Sequence, residues 1–123
     1  MDTNVIVRVL NGDRELIEQL KKYKNLCSCS VVLGELLYGA AKSARSEDNK
    51  EKAKLFCSRF NLLYVDDGVS DVYGSLKHEL LSHGQVMPEN DMWIAATALA
   101  NNMAVITQDK HFEKISELTV IKL

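Results

Sequence analysis

Residues 90–109 read NDMWIAATALANNMAVITQD. Pro88, just upstream, suits a helix's first turn, because its missing N–H has no partner there anyway. From Pro88 the apolar pattern predicts a helix to about residue 101. MAVIT (103–107) follows as a strand without polar alternation, the mark of a strand covered on both faces. An acid stands at each end of this unit: Asp91 in the helix's first turn and Asp109 just past the strand.

The alternation of helix and strand continues outward in both directions. Downstream, a short helix over 110–115 leads to a strand, LTVIKL (118–123). Upstream, a helix over 69–83 ends at Gly84 as its C-cap, after a buried strand LLYV (62–65). Before that come a charged helix over 46–60 opened by Ser46, an apolar helix from Ser30 to about residue 43, and a strand LCSCS (26–30). Helices over 14–23, capped by Asp13, and 5–10, ending at Asn11-Gly12, complete the pattern. Strands alternating with helices indicate an α/β domain with a mainly parallel sheet.

The chain has 123 residues, and we read residues 1–123 as one domain. Hydrophobic residues make up 46% and charged residues 26%, the composition of a globular protein. A net charge of −2 argues against a strongly basic nucleic-acid binder. No apolar run approaches the roughly 18 residues that a membrane span needs, and no secretion signal opens the chain. The expected location is cytoplasmic. Cys27, Cys29 and Cys57 have neither redox-pair nor zinc-knuckle spacing, so we read them as small apolar residues in a reducing compartment.

Four acids stand out by position: Asp2, Glu35, Asp91 and Asp109. Each has a bland reading. Asp2 and Asp109 suit N-caps, and Asp91 suits a helix dipole. Glu35 is harder to dismiss. With Ser30 as N-cap, a capping-box glutamate belongs at Leu33, and an unpaired acid in an apolar helix is costly. In an open α/β sheet, ligands bind beyond the carboxyl ends of the strands. Asp2 and Asp109 fall at that edge, and the helix starts carrying Glu35 and Asp91 face it.

Four converging carboxylates repel one another unless a cation joins them. Magnesium or manganese suits an oxygen-rich site. The matching chemistry is phosphodiester hydrolysis, with water activated at the metal and no side-chain nucleophile. Removing four acids from a net of −2 leaves +2 elsewhere, so a metal-loaded site would receive a polyanion.

DTNVIV (2–7), SVVLGELLYGAAKS (30–43), GQVMPENDMWIAATALA (84–100) and VITQDKHF (105–112) together resemble the PIN-domain ribonucleases, and among them the VapC-type toxins of bacterial toxin–antitoxin pairs. The resemblance spans nearly the whole chain. It implies a three-layer α/β/α fold and a Mg2+- or Mn2+-dependent endoribonuclease. Asp2, Glu35, Asp91 and Asp109 would be its acidic quartet, supported by Asn4 and Thr107. It further implies an RNA substrate, a homodimer and a cognate antitoxin protein. In this family a few apolar residues precede the first aspartate as a central strand; here that strand is expected to be truncated to Met1, with its residues lying upstream.

Other signals are weaker. Arg8, Lys42 and Arg45 are candidate RNA contacts, though each also reads as an ordinary surface charge. His78 and His83 in HELLSH are five residues apart, about 140° on a helix, and cannot share one zinc. His111 reads as an exposed helical residue with access to a phosphate. Tyr38 either lines the site or packs an interface, and Trp93 is expected to pack in the core. A PIN-fold binding module with little catalysis is the alternative. An aspartyl-phosphate phosphotransferase ranks below both, because Asn4 stands where its second acid belongs.

Overall fold

A computed structural model describes residues 1–123. Eight-residue α1 (Thr3–Leu10) and α2 (Arg14–Leu20) lead to β1 (Cys27–Cys29), α3 (Ser30–Ala41), α4 (Ser46–Ser58) and β2 (Asn61–Leu63). Then follow α5 (Asp67–Ser82), α6 (Glu89–Ala100), β3 (Val105–Ile106), a 3-10 helix (Lys110–Lys114) and β4 (Val120–Ile121). Every element expected from the sequence is present, with shorter strands and shifted ends, but LLYV is not a buried strand: β2 ends at Leu63, and Tyr64 and Val65 are exposed.

Local chemistry explains half of the α-helix starts. The side chains of Asp2, Asp13 and Asp66 accept from Val5, Leu16 and Val69 N–H, capping α1, α2 and α5. The cap at Asp66 starts α5 two residues earlier than position 69. Three helices start without a side-chain cap. Cys29, not Ser30, is the N-cap of α3, Arg45 precedes α4, and Pro88 is itself the N-cap of α6, none with a side-chain cap bond.

The strands form two parallel pairs. β1 lies on β2, with Ser28 opposite Leu62, and β3 lies on β4, with Val105 opposite Val120. Each pair is joined by a crossover long enough to bring its second strand back parallel, α3–α4 in one and the 3-10 helix in the other. Consecutive strand residues face opposite ways. Val105 joins the larger hydrophobic cluster with Ile94, Ala95 and Phe112, while Ile106 joins Val5, Leu16 and Leu20 of α1 and α2. Helices thus cover both faces, giving the three-layer α/β/α order.

Met1 and Asp2 stand between the two pairs. The Met1 amine donates to Cys27 O at 3.0 Å, and Asp2 N–H donates to Ile106 O at 3.0 Å. These residues occupy the place of the expected short central strand, without forming one. One strand's width on each side sets β1 and β3 about 9.5 Å apart. The seam beside Met1 is apolar, lined by Leu26, Leu63, Ile94 and Val105. No helix is long and apolar enough to cross a membrane.

Candidate functional site

Asp91 and Asp109 meet at one edge of the fold. Asp91 comes from the first turn of α6, and Asp109 from the turn after β3, where it caps the 3-10 helix by accepting from His111 N–H at 2.9 Å. His111 folds back between them. Its Nδ1 lies 2.9 Å from Asp109 Oδ1 and 3.3 Å from Asp91 Oδ2. Ligand atoms of these three residues all lie within 4.8 Å of one another. Phe112, wholly buried, anchors the short helix that carries the ring.

Glu35 and Asp2 approach through threonines. Thr3 Oγ1 donates to Glu35 Oε1 at 2.8 Å. Thr107 Oγ1 donates to Asp2 Oδ2 and accepts from Asp109 N–H at 2.9 Å. Thr107 is completely buried and Asp2 nearly so, at 5% exposure. One hydroxyl therefore ties the buried Asp2 carboxylate to the backbone of Asp109. Thr3, Asp2 and Thr107 form a polar row from Glu35 to Asp109.

The electrostatics of Asp91 reflect this crowding. Burial pushes its pKa up, and the charges of Asp109 and Glu35 push it further, against the opposing hydrogen bond from His111. A set of carboxylates that raises the pKa of one member suits a cation. Two carboxylates and an imidazole nitrogen within one coordination sphere are a reasonable donor set for a divalent ion.

Several residues singled out from the sequence sit elsewhere. Asn4 is exposed on α1 and bonds none of the acids, whereas its neighbour Thr3 holds Glu35. The reason is helical geometry: α1 begins at Thr3, so residues 3 and 4 point about 100° apart. Arg8 is not free for a phosphate, because its Nε donates to Asp13 Oδ2 at 2.9 Å and braces the α1–α2 turn. Lys42 lies over the exposed Tyr38 ring, 4.9 Å from its centre, and Arg45 is exposed. His78 and His83 are exposed on α5 and at its end. Trp93 packs against the core and stacks on Tyr73 at 3.7 Å.

Thr3 and His111 are site neighbours that the sequence pattern does not assign to the acids. Thr3 carries no signal of its own in the sequence, where it stands between Asp2 and Asn4. His111 carried a signal in its spacing, two residues after an acid at a strand end, which the tight 3-10 turn converts into contact.

The fold and acid geometry define a class of protein. Residues 1–118 match the PIN domain family, and the chain belongs to it. Among its relatives, Ribonuclease VapC2 of Rickettsia felis is 33% identical over 123 residues, covering 96% of this chain and 92% of that protein. The crystal structure of VapBC2 from Rickettsia felis, bound to a DNA fragment from its promoter, contains a chain that superposes with a TM-score of 0.88 at 31% identity, covering 99% of this chain and 96% of that one. A chain of VapBC-1 from nontypeable Haemophilus influenzae superposes with a TM-score of 0.89 at 28% identity, covering 98% and 94%.

Proposed function

We propose that this protein is a VapC-type toxin, an endoribonuclease dependent on Mg2+ or Mn2+, with Asp2, Glu35, Asp91 and Asp109 as its acidic quartet. The observation that carries the reading is the convergence of Asp91 and Asp109 at the strand ends, with Glu35 close enough to raise the pKa of Asp91. A divalent ion bound there supplies charge neutralisation, polarisation of a phosphodiester oxygen and acidification of water. Asp91 and Asp109 would hold the ion directly. Glu35, oriented by Thr3, would be the acceptor for a proton given up by water. Asp2 acts chiefly from behind, fixing Thr107 and through it the turn of Asp109.

RNA is the substrate, in keeping with relatives named as ribonucleases. Lys42 and Arg45, both exposed after the Glu35 helix, are candidate backbone contacts. An antitoxin is the expected partner. A groove of about 330 Å³ between α1, α3 and α4, lined by Val7, Leu10, Leu36 and Ala40 and by Asn11, Asn49 and Lys52, opens next to Glu35 and offers a mixed surface to a partner segment. A homodimer and a cytoplasmic location follow from the same family reading.

The test is direct. Purified protein with manganese or magnesium should cut RNA, and Asp91→Asn should abolish cutting with the circular dichroism spectrum unchanged. Cleavage in the presence of excess chelator, or full activity in that variant, sinks the mechanism. Mapping the cut sites on total RNA identifies the substrate.

A further inference from the structure

We propose that His111 is a third protein ligand of the divalent-ion site, and that it shifts the site's preference from magnesium toward borderline first-row ions. The inference rests on the metal-site reading above and adds a nitrogen donor to it.

The geometry carries the argument. In an octahedral sphere with ligands at about 2.1 Å, neighbouring ligand atoms are about 3.0 Å apart. His111 Nδ1 stands 2.9 Å from Asp109 Oδ1 and 3.3 Å from Asp91 Oδ2, the spacing of adjacent ligands on one ion. The ring is also placed by fixed backbone. His111 N–H donates to Asp109 Oδ1, and the next residue, Phe112, is fully buried. Its side chain keeps 43% exposure, so hydrated ions have access and waters can complete the sphere.

A bland reading competes with this one: a charged imidazole that merely pairs with two carboxylates. The two readings demand different ring states. As a ligand, His111 keeps its proton on Nε2 and offers the Nδ1 lone pair. As an ion-pair partner it holds a proton on Nδ1. Imidazole favours transition ions over magnesium, so an added nitrogen should change selectivity and not affinity alone.

The experiment uses Mn2+ as probe, on the full chain and on His111→Gln. Binding is followed by the loss of the free-ion EPR signal, and nitrogen ligation by pulsed EPR. Manganese on the wild-type protein should show 14N coupling. His111→Gln should lose that coupling and bind Mn2+ about tenfold or more weakly. Mg2+ affinity, measured by competition, should fall by less. Manganese bound without 14N coupling overturns the proposal and leaves the carboxylate site standing. So does His111→Gln that weakens RNA binding in chelator yet leaves Mn2+ affinity unchanged, since that marks a phosphate contact. A wild-type protein that binds no manganese removes the underlying metal-site reading, and this inference with it. Should His111→Gln fail to fold, the wild-type 14N spectrum decides alone.

Discussion

Thr107→Val is the most informative single change that the structure offers. Valine keeps the shape of threonine, so it opens no cavity at a fully buried position. It removes one hydroxyl that makes two hydrogen bonds: a donation to the buried Asp2 carboxylate and an acceptance from Asp109 N–H. A hydrogen bond to a charged group contributes about 1.5–3 kcal/mol, and a neutral one about 0.5–1.5 kcal/mol. Asp2 keeps its other partner, Val5 N–H, at 3.1 Å, which limits the damage. The expected loss is therefore about 2–4 kcal/mol, or a Tm about 10 °C lower for a chain of this size. Urea unfolding measures it, with an unchanged m-value showing that the unfolded state is not altered. Thr107→Ser, which keeps the hydroxyl, should stay within about 1 kcal/mol of wild type. Pairing Thr107→Val with Asp2→Asn should give a coupling of about 1 kcal/mol or more. If Thr107→Val unfolds within about 0.5 kcal/mol of wild type, an ordinary surface value, the hydroxyl is not holding Asp2 in solution and the reasoning fails.

Other outcomes follow from the same geometry. Because the native pKa of Asp91 is raised, the native state holds its proton more tightly than the unfolded state does. In chelated buffer its contribution is full below the ordinary aspartate value, about 3.9, and is lost as pH rises through the raised native pKa. Asp91→Asn should flatten that part of the stability–pH curve and exceed wild-type stability near neutrality, as urea titrations at several pH values would reveal. Burial pushes up the thiols of Cys29 and Cys57, while Cys27 is only half-buried. A maleimide should therefore label Cys27 in the native protein and reach the other two only on unfolding, as mass spectrometry of digests can verify. Phe112→Ala should cost about 3–5 kcal/mol in chemical denaturation, since it empties a fully buried site under the Asp109–His111 turn. Arg8→Gln should cost no more than about 1 kcal/mol, because the Arg8–Asp13 pair is partly exposed and screened.

The element order was legible because buried parallel strands and capped helices leave one-dimensional marks. LCSCS, LLYV and MAVIT are runs of mainly apolar and small residues, each preceded by an asparagine (Asn25, Asn61, Asn102), and each overlaps a strand near its expected place. Strand lengths were not legible: only two or three residues per strand find a partner, because pairing depends on the neighbouring strand and not on the run itself. Asp91 and Asp109 were readable as neighbours, since the rule for strand ends in α/β sheets places both at one edge. The threonine links were not. Thr3 and Thr107 act across 32 and 105 residues of sequence, and nothing in a hydroxyl side chain announces a partner so remote. The pairing of His111 with Asp109 was not legible for a different reason: Asp109 lies outside the short helix as its N-cap and turns its carboxylate back onto the second helical residue.

The seam at Met1–Asp2 has a mechanical meaning for the acids. Glu35 rides on the helix after β1 and Asp109 follows β3, and the gap between them is spanned by the Met1 and Asp2 backbone and by the Thr3–Glu35 and Thr107–Asp2 hydrogen bonds. A constellation of this kind works within about 0.5 Å. A continuous ladder would average out small displacements along its length, whereas this spacer passes them on. The carboxylate set therefore has a gauge, and its reading is the width of the seam. A change that breaks either threonine link should therefore alter the Glu35-to-Asp109 distance while leaving the helices in place.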